Sequence, residues 1–268
     1  MLSSSWFTLM LSAAAAVNAL PTQVLDARTP TTSWAASLKA YYKAVGAHMA
    51  NIEKMPDFPS LQACDLRKAQ MPTAPSPLPA PDSGLTLSHV AIGRGTQNYT
   101  CATSTNASIP ASVGAVANLY NASCLAANYA DVLALLPSVV LDLPIPTNTN
   151  VLAPANAELS GHHFFVDATT PTFNMDTAAH DYGVIYSAKN SSTAAPTSAP
   201  KGPTNADGVA TGYGSVAWLK LEAKKGLGSK PFREVYRVNT AGGSPPPTCD
   251  GLAATFQVQY AAEYWLYD

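Results

Sequence analysis

A chain of 268 residues with 12% charged residues and a formal net charge of −2 has no bulk electrostatic pull on nucleic acid, and it is long enough to close one sizeable core without a second domain. After the N-terminus no run approaches the ~20 apolar residues of a membrane-spanning helix, so no membrane span is expected. So low a charge leaves solubility to another source, and glycans would supply it.

Residues 6–17 are mainly apolar, and Val17-Asn18-Ala19 is a small-x-small pattern just ahead of Leu20-Pro21. That is the pattern of a secretory signal peptide cleaved after Ala19, although its n-region has no Lys or Arg. The expected organisation is a signal peptide over 1–19, a helix and Pro-rich connector over 20–84, and a β-rich domain over 85–268. Secretion gives meaning to four Asn-x-Ser/Thr sequons, at Asn98, Asn106, Asn121 and Asn190. Each is a candidate glycosylation site and so a surface position.

Residues 31–52 predict an amphipathic helix, because Trp34, Leu38, Tyr41, Val45, Met49 and Ile52 recur at steps of three and four. Its expected role is to pack on the core. Residues 71–84 hold Pro72, Pro75, Pro77, Pro79 and Pro81, and read as an extended connector. Period two then takes over. In residues 97–103, Tyr99 and Cys101 share one face and Asn98 and Thr100 the other, which turns the Asn98 sequon outward. A strand is expected over 113–120, then a short helix over 128–136 stopped by Pro137. Strands follow near 161–167, 172–176 and 182–188. Residues 189–213 read as a long surface loop carrying Asn190. Ala217, Leu219 and Leu221 alternate with Trp218, Lys220 and Glu222 as a half-buried strand, and residues 232–239 form another. In the last strand Phe256, Val258, Tyr260, Ala262, Tyr264 and Leu266 share a face. Many short strands between Gly/Pro turns predict a mainly β fold. The expectation is a single β-sandwich or barrel-like domain with an N-terminal amphipathic helix and one short internal helix.

Four cysteines, Cys64, Cys101, Cys124 and Cys249, read as two disulfides in an oxidising compartment. The favoured pairing is Cys101–Cys124, across a short loop, with Cys64–Cys249 tying the two ends of the chain. The spacings match no zinc pattern.

Several segments together carry a family resemblance. They are Cys64-Asp-Leu66, residues 89–101 (His-Val-Ala-Ile-Gly-Arg-Gly-Thr-Gln-Asn-Tyr-Thr-Cys), Gly161-His-His-Phe-Phe165, Trp218-Leu-Lys-Leu221, residues 236–243 (Tyr-Arg-Val-Asn-Thr-Ala-Gly-Gly) and residues 258–265 (Val-Gln-Tyr-Ala-Ala-Glu-Tyr-Trp). Over roughly residues 60–268 the chain resembles the fungal branch of domain-of-unknown-function family 3455. The resemblance implies a secreted protein without a settled activity. Some fungal members carry the name malate dehydrogenase, which can be tested on the residues. A dinucleotide site needs strand, G-x-G-x-x-G turn, helix and a later acidic residue. Gly93-Arg-Gly95-Thr-Gln-Asn98 lacks the third glycine and continues as strand. Gly212-Tyr-Gly214-Ser-Val-Ala217 leads from a loop into a strand. Nicotinamide-dependent dehydrogenation is therefore not expected, and no cofactor is. There is no Gly-x-Ser-x-Gly elbow, and oxidised cysteines supply no thiolate.

The richest polar cluster spans residues 162–181, with His162, His163, Asp167, Asp176, His180 and Asp181. A hairpin turning at 168–171 would set His163 opposite Asp176, with His180 arriving as a third group. Such a trio could serve as an acid–base pair or a metal site. The plainer reading is that His163 is a hydrogen-bonded core histidine. Lys220, Lys224, Lys225, Lys230, Arg233 and Arg237 read as a solvated sheet face, or else as a patch for an acidic polysaccharide or membrane surface. Tyr264, Trp265 and Tyr267 read as core, or else as a sugar-stacking platform. The reading favoured is a secreted, non-catalytic surface or ligand-binding protein whose partner would be a carbohydrate or a cell-surface component. The alternative is an extracellular enzyme built on His163, Asp176 and His180, with or without a metal.

Overall fold

The computed structural model describes residues 23–24, 32–52, 64–145, 159–202 and 212–268. The segment 1–19, expected to be a signal peptide, lies outside these. Gln23–Val24 (β1) adds in parallel to the last strand, at Phe256 and Gln257. Helix α1 (Thr32–Ile52) comes next, then a 3-10 turn at Leu66–Lys68. The strands are β2 (Leu87–Thr100), β3 (Ala111–Asn121), β4 (Leu159–Phe165), β5 (Pro171–Asp176), β6 (Asp181–Thr193), β7 (Trp218–Ala223), β8 (Glu234–Gly242) and β9 (Thr255–Tyr267). From β2 to β9 each strand pairs antiparallel with the next, and β9 also pairs with β2. The result is a closed eight-stranded barrel, so the choice between sandwich and barrel falls to the barrel. Closure leaves these strands few unpaired edges.

The interior follows from alternation. Phe256, Val258, Tyr260, Ala262, Tyr264 and Leu266 point inward, as their shared face predicts. The main core sets Tyr260, Ala262, Tyr264 and Leu266 against Leu119, Phe173, Met175, Ile185, Leu221 and Val235. Opposite these large rings the wall is made of small residues. A Cβ at Gly93 would collide with the Tyr264 ring, and one at Gly95 with the Val116 backbone.

The outer face of one wall is also buried. Val90, Ile92, Trp218, Tyr236, Val238 and Trp265 form a second core. It is roofed by α2 (Ser123–Asn128), α3 (Ala130–Leu141) and the proline-rich strap, which contributes Met71, Ala74 and Leu78. The helix expected to stop at Pro137 instead runs through it to Leu141, with α2 before it. A proline inside a helix costs about 3 kcal/mol. Burying Val132, Leu133, Pro137, Val139 and Leu141 against the barrel offsets that. The Arg94 guanidinium donates to the Leu141 and Leu143 carbonyls at 2.7 and 3.0 Å, satisfying the open C-terminal end of α3. Helix α1 packs on α3, with His48 2.9 Å from Asp131. Met49, placed by its spacing on the apolar stripe, is exposed.

The disulfides differ from the favoured pairing. They are Cys64–Cys124 and Cys101–Cys249, with Cα separations of 4.6 and 5.8 Å. The reason is topological. Cys101 leaves β2 beside the segment that enters β9, where its amide donates to the Ala254 carbonyl at 2.9 Å. Cys124 lies on α2, which packs against the 3-10 turn that follows Cys64, so it meets Cys64.

Candidate functional site

The residues of the expected His/Asp site are brought to different places. In the β4–β5 hairpin His163 pairs with Phe173, three positions short of Asp176. The turn closes over residues 166–170 rather than 168–171: Phe165 pairs with Pro171, and this fixes the register. His163 is buried inside the barrel. Its ring stacks on Phe173 at 4.2 Å, and its Nδ1 sits 2.9 Å from the Thr172 carbonyl. Burial drives its pKa down to about 4; the Thr172 bond opposes the shift and the Arg237 charge adds to it. His163 is therefore a neutral core side chain at pH 7. Asp176 lies exposed on the outer side and accepts from the Gly183 amide at 2.6 Å. Its hydrogen bond to Asp181 raises the Asp181 carboxyl above its usual range. Gly183 has φ +101°, and any Cβ there would strike the Lys230 carbonyl, so glycine is required where β6 meets Lys230. His162 sits on the outer face, 3.0 Å from Asn118 Oδ1. The Asp167 carboxyl, held to about 2 by hydrogen bonds from Thr169 and Thr170, ties the turn.

His180 has a different neighbour. Its ring stacks on Tyr182 at 5.0 Å, and Tyr182 lies 5.0 Å from His89. Buried His89 reaches Ser160 Oγ at 3.0 Å. A His–Ser contact suggests nucleophilic chemistry, yet the polarity is wrong for it. Ser160 Oγ donates to the Leu119 carbonyl at 3.3 Å, which leaves His89 Nε2 as the donor to Ser160 rather than the base. Among the described residues no carboxylate orients His89. Burial, aided by His180, lowers its pKa to about 4.

The basic cluster divides between the two faces of the wall. Lys224, Lys225, Lys230 and Arg233 lie outside the core, Arg237 points into the barrel, and Lys220 lies on the outer face under the strap. Lys220 Nζ is 2.9 Å from Glu234, 3.2 Å from Asp82 and 3.6 Å from Glu222. The same three acids approach one another as metal ligands could. The ammonium already occupies the point they share, within 3.6 Å of each. Burial alone would lower the Lys220 pKa, but the Glu234 and Asp82 hydrogen bonds raise it overall. Tyr264 and Trp265 are buried, so they form no exposed sugar platform.

A cleft of about 330 Å³ opens between α1, α3, the turn at residues 196–200 and the outer sides of β7 and β8. Its lining includes Ser37, Pro137, Ser138, Ser198, Trp218 and Asn239, with no charged side chain. Trp218 also lines a smaller cleft of about 70 Å³ under the strap. Its buried indole N–H has no acceptor among the described residues. Asn239 stands at the β8 irregularity with φ 45°, a conformation asparagine tolerates better than most residues. Its Nδ2 donates to Glu263 Oε1 at 2.7 Å and to the Ala134 carbonyl at 2.9 Å. Glu263, fully buried, also accepts from Trp265 Nε1 at 2.9 Å. Burial raises its pKa, against those two hydrogen bonds. The opposite wall is anchored too, since the Gly242 amide donates to the Pro200 carbonyl at 2.8 Å. Sequence reasoning passed over this cleft because its residues come from five separate segments. Asn239 within Asn-Thr-Ala-Gly-Gly was the available signal.

The family model described as "Protein of unknown function (DUF3455)" matches residues 79–268. The chain belongs to the DUF3455 family. Neither a curated protein nor a solved structure matches it. The DUF3455 match covers the whole barrel, α2, α3 and every cleft residue except Ser37. It begins at Pro79, whose carbonyl accepts from the Tyr236 hydroxyl at 2.8 Å. Within it, Gly93 and Gly95 lie mid-strand in β2, which pairs along its length with β3 and β9. In this chain those glycines admit neighbouring side chains and backbone rather than a pyrophosphate.

Proposed function

We propose that the protein is a secreted, non-catalytic binding protein whose cleft at Trp218 takes a neutral, hydroxyl-rich ligand, a carbohydrate or a carbohydrate-bearing cell-surface component. The observation that carries this reading is the lining of the 330 Å³ cleft: an indole, serine hydroxyls and an amide, with no charge. Its size is at the lower end of ligand sites. Neutral polar groups beside an aromatic ring suit hydroxyls, whereas a charged ligand would find no counter-charge there. Two disulfides fit an oxidising compartment. The non-catalytic part rests on the dispersal of His163, Asp176 and His180 and on the Lys220 ammonium filling the centre of the Asp82, Glu222 and Glu234 cluster.

The test is thermal unfolding with a panel of uncharged glucose and N-acetylglucosamine oligomers. A binder at a hundred times its Kd stabilises by about 2.7 kcal/mol. The exposed Ser198→Trp change fills the cleft from its rim, and it is expected to abolish the shift while leaving the unliganded Tm in place. If no oligomer shifts the wild type, or Ser198→Trp responds equally, this assignment is wrong.

A further inference from the structure

The barrel interior holds a cation that no described carboxylate balances. Arg237 points inward from β8, between Leu219 of β7 and Tyr264 of β9, and is 9% exposed. One guanidinium nitrogen, Nη2, donates to the Ala217 carbonyl at 2.9 Å, while Nε is buried with no acceptor among the described residues. Gln97 points inward from β2, between Ala115 and Val258, and is 5% exposed. Its Nε2 is likewise buried with no acceptor among the described residues.

The two orphan donors share one neighbourhood. A Cβ built at Gly243 would lie 2.9 Å from Tyr260 Cβ and 3.2 Å from Gln97 Cγ. The Gly243 carbonyl accepts from the Tyr99 hydroxyl at 2.8 Å. Tyr99, Tyr260 and Tyr264 all feel the Arg237 charge, and the Arg237 side chain also hydrogen-bonds Tyr264. The Tyr260 and Tyr264 hydroxyls bond each other at 2.7 Å. Burial raises both phenols, so neither becomes the missing anion near pH 7. An unpaired buried charge is strongly destabilising, and a water can accept from its donors but cannot neutralise it.

We propose that the barrel binds a compact, singly charged anion at Arg237 and Gln97, beside the Tyr260 and Tyr264 hydroxyls. A carboxylate and a halide share the required chemistry: small size, one negative charge and acceptors for two N–H groups. The site is separate from the Trp218 cleft, which lies on the outer face of the wall. Entry is from the end of the barrel where Ala217 precedes β7, since the guanidinium reaches that carbonyl.

The experiment titrates chloride, bromide, acetate and neutral acetamide against Tm at constant ionic strength, and locates bromide by anomalous scattering in soaked crystals. The anions are expected to raise Tm saturably and acetamide to have no effect. Acetate acting without the halides assigns the organic anion; all three acting assigns the charge alone. Arg237→Met removes the buried charge and keeps its length, so the fold is expected to persist and the anion response to disappear. Gln97→Leu is expected to weaken apparent affinity about tenfold, the scale of one hydrogen bond to a charged group. The exposed Arg233→Met control keeps the full response. An unchanged response in Arg237→Met, no saturable Tm response of the wild type to any of the three anions, or a bromide response with no bromide peak beside Arg237, overturns the proposal whether or not a variant folds.

Discussion

Lys220→Met is expected to loosen the proline-rich strap and destabilise the protein severely. The Lys220 side chain is 3% exposed and that of Glu234 2%. Removing the lysine strands the Glu234 carboxylate in the wall, and breaking such a buried pair from one side costs about 3–5 kcal/mol. Asp82 is 72% exposed and can turn to solvent, so its share is small. The Ala80 carbonyl also loses its donor at 3.0 Å. Lys220→Met with Glu234→Leu removes both charges and is expected to recover most of the loss, leaving roughly 1–2 kcal/mol for the forfeited hydrogen bonds to the Asp82 amide and the Tyr236 hydroxyl. Urea unfolding of wild type, both single variants and the double variant gives the coupling, and limited proteolysis across residues 64–86 reads the strap. The Lys220 ammonium titrates above its ordinary value. Its contribution is thus complete below the usual lysine pKa and is lost only as pH climbs through the raised one. The destabilisation should therefore be the same at pH 6 and pH 8. A Lys220→Met loss below about 1 kcal/mol, or a double variant worse than the sum of the singles, would refute the buried-pair argument.

Three further outcomes are expected. His163 and His89 each titrate near 4 in the fold, against 6.5 when free. Their contributions are present above pH 6.5 and lost as pH falls toward 4, by up to about 1.4 kcal/mol per pH unit each; His163→Phe should flatten that slope in denaturant titrations, and an unaltered slope counts against the buried neutral imidazole. Peptide mapping without reduction should yield Cys64–Cys124 and Cys101–Cys249, and losing the first, which closes a 60-residue separation, should cost about 4 kcal/mol in the chain-entropy account. Glycopeptide mass spectrometry of the protein expressed through a secretory, glycosylating host should find Asn106, exposed in its loop, occupied. Asn121 should be empty, because its Oδ1 accepts from the Ser123 amide and the Ser123 hydroxyl is buried against Val90; a glycan at Asn121 would show that this corner opens.

Local pattern was informative wherever one strand carried its own answer. The inward face of β9 was legible because Phe256 to Leu266 alternate without a break. β7 was harder: Trp218 and Lys220 sit on the side expected to face water, yet a strap from 140 residues earlier covers it. The expected His163–Asp176 pair failed for a comparable reason. Alternation gives the face a residue takes, while register depends on where the turn closes. Pro137 was read as a stop because the helix's partner wall was unknown.

From the amino-acid order alone came the secretory pattern, the mainly β class, the family resemblance, the even cysteine count and the inward face of the last strand. These depend on neighbours within a few residues or on composition. Only the tertiary structure decided barrel over sandwich, which cysteines meet, that Lys220 is an enclosed ion-pair centre, and that Arg237 and Gln97 share an interior in which no described carboxylate balances the charge. Each of those depends on closing the sheet. That closure brings residues from distant strands to the same wall and separates charges that lie side by side in the chain.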